Sequence, residues 1–424
     1  MESSPALAQV VLGYSPMVDR QRAVIATRLT IFPEQPDARC DARALIAALE
    51  AVWPPQTAAP PKLSLNLRPL DPATVASRGS AASLQPVSLN IAGEALLHAV
   101  MEARPGPHLM VEVPAFLAGD ARHADALHVL HEGGSALLIK GRPLAELPRD
   151  LLPCFSHSIV DAADERRGDA AAAPAGVRGI TSVQSGVRSS AEMERAFQRG
   201  AVATLGWPFD DPPPAASAKK SVPQDVQVVL ELIAGVDKEE PVGRLEAVLK
   251  KDPTLAFRLM RYLNSPAFGL TVEINSFGHA LMMLGYQRLK RWLAVLLASS
   301  AKGANARPLM FAAVRRGLLL EELGREAGDA EMRGELFICG VFSLLDRLLQ
   351  QPAADLFKSL PVPEKVQQAL VGEEGPYHPY LELARAIESE SLFDIRECAG
   401  RLLMSAAEVN RALLAALAAA RALD

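Results

Sequence analysis

The stretch Asp252–Gly285 reads DPTLAFRLMRYLNSPAFGLTVEINSFGHALMMLG and orders caps, breakers and apolar positions more tightly than any other part of this 424-residue chain. Asp252 can cap a helix, its carboxylate accepting the free N–H groups of the opening turn. Pro253 suits the first helical position, where its missing N–H costs nothing. Leu255, Leu259, Tyr262 and Leu263 then recur at helical spacing. Pro266 and Gly269 end that helix, and Ser276 caps a second that runs to Gly285. The stretch predicts two helices around a fixed connection.

The same periodicity continues on both sides. Val226, Val229, Leu230 and Ile233 form one apolar face, and Leu289, Trp292, Leu293 and Leu296 repeat it after Gly285. Further amphipathic helices are expected over Met310–Ala327, Glu335–Gln350 and Glu364–Val371. A last one is announced by the capping box of Ser405 and Glu408 and carries Val409, Leu413, Ala416, Leu417 and Ala420 on one stripe. Asp210–Ser221, DDPPPAASAKKS, is too rich in proline and small residues for a core and reads as a linker. The expected division is residues 1–211, a linker at 212–222, and a helical domain at 223–424, with Ser221–Asp424 expected to fold alone.

Before the linker the pattern is mixed. Val10–Tyr14 and Ala23–Phe32 read as strands about the polar turn Asp19–Arg22. Short apolar runs follow at Val87–Ile91, Leu109–Val113, Ala136–Ile139, Ser158–Val160 and Ala201–Leu205. Helical stretches at Ala95–Glu102, Ala121–His131 and Ala191–Gln198 alternate with them. Strands alternating with helices indicate a parallel sheet, and this many indicate an α/β barrel. Pro54–Pro61 and Asp164–Gly176 read as loops.

Composition bounds the function. Aromatic residues are only 5% of the chain, so Leu, Ala and Val must fill the interiors. A net charge of -5 argues against a broad nucleic-acid footprint. Cys40, Cys154, Cys339 and Cys398 stand far apart, so neither a zinc site nor a disulfide framework is indicated and a reducing compartment is expected. There is no basic-then-apolar leader pattern and no apolar run near the ~18 residues of a spanning helix, so no membrane insertion is expected and the cytoplasm is the default. His128 and His131, with Glu132 beside them, lack a third placed ligand and read as surface residues. His279 reads as a helix-start or core histidine.

The pattern of Asp252–Gly285 resembles the HDOD family, an all-helical output module related to the metal-dependent HD phosphohydrolases. An HD enzyme requires a His-Asp dyad, and the equivalent run here, Gly340–Asp346, places Ser343 and Leu344 at the dyad positions. The N-terminal half is similar to the EAL domain, a barrel that hydrolyses cyclic di-GMP. That similarity rests on the opening hairpin, SLNIA at Ser88–Ala92, MVEV at Met110–Val113, SGVRSSAEM at Ser185–Met193 and LGWPFDDP at Leu205–Pro212. ELFICGVFSLLD and ALVGEEGPY resemble the HDOD type fused behind a degenerate EAL domain.

The resemblance implies metal-dependent chemistry, which needs hard oxygen ligands at the carboxyl ends of the strands. With one residue of slack, the signature Glu falls at Thr27, the paired aspartates at Leu138 and Ile139, the lysine near Ile159 and the late Glu near Ser185. Only Asn90 and Glu112 match by type. The expectation is therefore no catalytic, metal or cofactor residue and no cofactor. The chain reads as a non-catalytic adaptor in cyclic di-GMP-related signalling, binding protein partners through the HDOD module and acting in motility, surface growth or virulence. Two alternatives stay open. One is a non-hydrolysing cyclic di-GMP receptor, with Arg28, Lys140, Arg142 and Arg188 near the rim. The other is a residual phosphodiesterase.

Overall fold

The computed structural model describes residues 5–35, 40–54, 86–142, 147–165, 180–209, 211, 224–249, 251, 277–299, 306–359 and 362–421. The greater part of the opening stretch, residues 252–276, lies outside the described residues, as do the linker from 212 on and most of both expected loops.

Eight strands close into a barrel in sequence order: β1 (Val10–Asp19), β2 (Val24–Pro33), β3 (Val87–Ile91), β4 (Leu109–Pro114), β5 (Leu137–Lys140), β6 (Phe155–Asp161), β7 (Thr181–Ser185) and β8 (Ala203–Leu205). β1 is antiparallel to both neighbours, and every other pairing is parallel. Helices α1 (Ala42–Val52), α2 (Glu94–Ala103), α3 (Ala115–Ala118), α4 (Ala124–Glu132), α5 (Ala162–Glu165) and α6 (Ser190–Gln198) lie between strands. Asp41 caps α1 and Ser189 caps α6, their side chains accepting orphan backbone N–H groups.

Met17, Ala26, Met110, Leu138, Ile159, Val183, Ala203 and Leu205 pack together inside the barrel. Side chains alternate along a strand, so this layer sets the parity of the wall. Gly13, Ser15, Arg28, Thr30, Glu112, Lys140, Asp161 and Ser185 also face inward, one or two steps nearer the carboxyl end of the parallel strands. Thr27 and Ile139 face outward.

β1 extends five residues beyond its expected end at Tyr14, through Pro16. The backbone groups of its even-numbered residues point to the β8 side, and β8 pairs only with Met17–Asp19. Pro16 therefore loses no ladder bond, and its carbonyl accepts from Gly206 N at 3.2 Å. β7 was not expected at all. Its sequence, TSVQS, has a single apolar residue, and its neighbours β6 and β8 rather than any hydrophobic run make it a strand.

The remaining helices are α7 (Gln224–Asp237), α8 (Val242–Leu249), α9 (Phe277–Ser299), α10 (Ala306–Leu323), α11 (Ala330–Phe342), α12 (Leu345–Leu349), α13 (Ala353–Ser359), α14 (Glu364–Gln367), α15 (His378–Glu388), α16 (Leu392–Arg401) and α17 (Ala406–Arg421). α9 breaks at Gly285, whose φ of 72° lies in the left-handed region, so the expected helix end there is a kink. α10 and α11 cross at their glycines: a Cβ on Gly340 would sit 2.6 Å from the Gly317 Cα. No described helix is by itself long and apolar enough to cross a membrane.

The chain forms two compact units, residues 1–211 with 386–411, and residues 212–385 with 412–424. The expected helical domain at 223–424 is corrected here, because residues 386–411 pack with the barrel. The reason is visible on β1. Beyond the reach of β8, the Tyr14 carbonyl accepts from the Trp207 indole at 3.4 Å. The Asn410 side chain then acts as the next strand partner. Its Oδ1 accepts from Leu12 N at 3.0 Å, and its Nδ2 donates to the carbonyls of Val10 and Leu7 at 2.7 and 2.8 Å. Asn410 is 0% exposed.

Replacing Asn410 with Ala would orphan three buried backbone groups. The expected loss is about 3 kcal/mol, from a buried polar group costing ~1–3 kcal/mol when unpaired. Denaturant unfolding of the full chain measures it, and a loss below about 1 kcal/mol would show that water replaces the amide.

Candidate functional site

In barrels of parallel strands, chemistry gathers at the carboxyl ends of the strands. Here that mouth is lined by charge. Glu112 of β4 is 1% exposed, and Arg28 of β2 is 7% exposed. Arg28 Nε donates to Glu112 Oε1 at 2.9 Å and Nη2 donates to Oε2 at 2.6 Å, a bidentate pair. Ser88 Oγ donates to the same Oε1 at 2.8 Å. Both carboxylate oxygens are therefore engaged by the protein itself.

Asn90 sits beside this pair on β3. Its Nδ2 donates to Thr30 Oγ1 at 3.0 Å, and its Oδ1 accepts from Lys140 Nζ at 2.7 Å. Ser185 Oγ donates to Asp161 at 3.3 Å. Glu390, from the turn between α15 and α16, completes the group: Ser15 Oγ donates to it at 2.8 Å, and Arg28 Nη1 lies 3.7 Å from it.

The charges shape one another. Burial works against the Arg28 cation, but Glu112, Glu390 and Asp161 outweigh it and hold its pKa above the usual value. Lys140 has no carboxylate in hydrogen-bond contact among the described bonds. Burial first, and then the Arg28 charge, pull its pKa below that of an ordinary lysine.

Asn90 and Glu112, the two residues that match the ligand set by type, do meet at the mouth. Of the four basic residues expected near the rim, Arg28 and Lys140 line it, whereas Arg142 and Arg188 are exposed. The position assigned to Thr27 is corrected by one residue. Thr27 faces outward, so the inward position of that strand belongs to Arg28. Leu138 and Ile159 lie in the apolar interior. A pair of divalent cations needs several free anionic oxygens, and these residues do not fit it: Glu112 is spent on a guanidinium and Asn90 on an ammonium. The Arg28–Glu112–Glu390 group escaped sequence reasoning, because 278 residues separate its second and third members. The one local signal was a charged residue in each of two otherwise uncharged strands.

The other candidates are dispersed. His128 Nε2 lies 3.2 Å from Asp150, and its Nδ1 lies 3.6 Å from Cys154 Sγ, while His131 and Glu132 are exposed. Among the described residues no group of three His, Cys, Asp or Glu side chains could hold a metal ion. His279 is half-buried in α9. In the second unit Ser343 Oγ accepts from Arg316 Nη1 and donates to the Gly340 carbonyl, both at 2.7 Å, and Leu344 is buried. Burial pushes the nearby Cys339 thiol up to about 12.

Residues 222–353 match the HDOD domain family. The chain is 29% identical over 220 residues to the uncharacterized protein YuxH of Bacillus subtilis, covering 51% of this chain and 53% of that protein. It is 28% identical over 145 residues to the cyclic di-GMP phosphodiesterase CdgJ of Vibrio cholerae, covering 34% of each. The chain thus spans about half the length of one curated relative and a third of the other. Among solved structures, the PaMucR phosphodiesterase in its c-di-GMP complex aligns at 16% identity with a TM-score of 0.32, over 50% of this chain and 94% of that one. The barrel itself is established by the strand pairing of this chain.

Removing one partner of the buried pair should be costly. Glu112→Ala or Arg28→Ala is expected to destabilise the full chain by about 3–5 kcal/mol, whereas the double change Arg28→Met with Glu112→Leu should be close to neutral. Chemical denaturation of the three variants checks this. Single variants as stable as the parent would show that water reaches the pair.

Proposed function

We propose that this protein is a non-catalytic adaptor in cyclic di-GMP-related bacterial signalling, with an EAL-like barrel that does not hydrolyse the nucleotide and an HDOD region that binds a protein partner. The observation that carries this reading is the Arg28–Glu112 pair. Phosphodiester hydrolysis by a metal-dependent barrel requires cations that polarise the phosphate and activate a water. Where such cations would sit against Glu112, the chain supplies a guanidinium. A guanidinium cannot bind a water as a Lewis acid or lower its pKa, and it stays charged at every accessible pH.

Three further observations support the reading. The HDOD match covers residues 222–353, and the dyad position within it holds Ser343 bonded to Arg316 and a buried Leu344. That leaves the region contact rather than catalysis as its work. The second unit also exposes Met282 of α9 at 79%. The similarity to CdgJ over a third of its length ties the chain to cyclic di-GMP signalling, though not to that protein's reaction.

A second reading, a non-hydrolysing nucleotide receptor, is favoured by one feature. Lys140 and Arg28 place two cations at the mouth, where phosphates would meet them.

Two experiments test the proposal. Pure protein incubated with cyclic di-GMP and magnesium or manganese should yield no linear dinucleotide; metal-dependent turnover by the folded parent would defeat the adaptor reading. In capture from host lysate, a partner retained by the parent should be lost with Met282→Asp and kept with Phe116→Asp, which alters a barrel residue 66% exposed. The opposite pattern would move the binding surface to the barrel.

A further inference from the structure

The turn that carries Glu390 is built to hold its place. Glu390 N donates to the Ile387 carbonyl at 3.2 Å and Ser391 N to the Ala386 carbonyl at 3.4 Å. Ser389 Oγ closes on the Ala386 carbonyl at 2.9 Å, and the Ser391 hydroxyl caps α16. Glu390 itself has a φ of 55°, a strained value for a residue with a side chain.

This turn rests on the inner face of β1. A Cβ on Gly13 would lie 3.1 Å from both the Glu390 Cα and the Ile387 carbonyl oxygen, so a side chain at that position would crowd the turn. Gly13 is the register partner of Thr30, which faces inward one step above Arg28. The backbone of residues 387–390 therefore lies at the level of Thr30, and its side chain reaches down to Ser15 and Arg28.

We propose that Ile387–Ser391 is an intrachain plug of the barrel mouth, held by Glu390 on Ser15 and Arg28, which a polar ligand must displace to reach Arg28, Glu112, Asn90 and Lys140. The inference rests on reading the mouth as the ligand end of the barrel. Its electrostatics follow from the contacts. The Glu390 carboxylate offers Arg28 the kind of partner that an entering anion would offer, so displacement exchanges one anion for another and leaves no buried cation bare. The chain that follows the plug is held separately, by Asn410 on the edge of β1. Release at Glu390 can thus open the mouth while 395–411 stay in place.

The test uses the full chain with Cys40→Ser, which removes the half-buried thiol and leaves three buried cysteines, together with Thr30→Cys as a probe under the turn. Labelling by a small charged methanethiosulfonate is followed in this parent and in parents also carrying Glu390→Ala or Gly13→Ala. Glu390→Ala removes the latch. Gly13→Ala keeps every charge and crowds the turn by contact alone, so either variant decides the matter if the other does not fold. Both should label about tenfold faster than the parent, with faster hydrogen exchange at 387–391 and unchanged cooperativity of melting. Folded variants that label and exchange at the parent's rate would overturn the plug, and so would a parent that labels as fast as an unfolded chain. Hydrolysis of cyclic di-GMP would sink the functional reading without moving these rates.

Discussion

One buried charge organises the barrel mouth. Glu112 is almost wholly withdrawn from water, where an uncompensated carboxylate would cost several kcal/mol, so the fold must bring it a cation and fill its remaining lone pairs. Arg28 does the first with two parallel N–H donors, and Ser88 contributes to the second. The rest of the mouth adjusts to that pair. Lys140, repelled by the Arg28 charge and partly desolvated, settles on the neutral amide oxygen of Asn90. Glu390 comes in on the far side of Arg28 and shares its charge. A barrel end with polar residues on seven of its eight strands is thus closed on itself rather than left as an array of free ligands.

The second constraint is an edge. A closed barrel has no unpaired strand in principle, yet β8 is three residues long and β1 is ten. More than half of β1 would present bare N–H and C=O groups on that side, a template for pairing with other chains. Gly206, the Trp207 indole and the Asn410 amide take these groups in turn. The last of them comes from a helix near the end of the chain. Completing the barrel therefore requires residues 386–411, and those residues bring Glu390 to the mouth. Closure of the edge and closure of the mouth are two results of one segment.

The two constraints make the functional reading coherent. The proposal rests on both: the charges at the mouth are paired from within, and in the helical region Ser343 is tied to Arg316. The buried Cys339 thiol and the glycine crossing of α10 and α11 show how closely the chain packs around Ser343.

Local patterns were enough to read most of the elements. β3 at Val87–Ile91 and the helices α2, α6 and α17 follow from runs and caps that lie within a few residues of one another, and the Ser405–Glu408 capping box forms as written. What the sequence could not show is set by partners far along the chain. β7 is a strand because β6 and β8 flank it, and α16 owes its place to β1. Thr27 and Arg28 exchange roles because strand parity is decided by the packing of the barrel interior, where one residue of register turns a side chain from the wall's outer face to its inner one. Arg28, Glu112 and Glu390 meet for the same reason: a buried charge selects its partners by distance in space, which no spacing in sequence records.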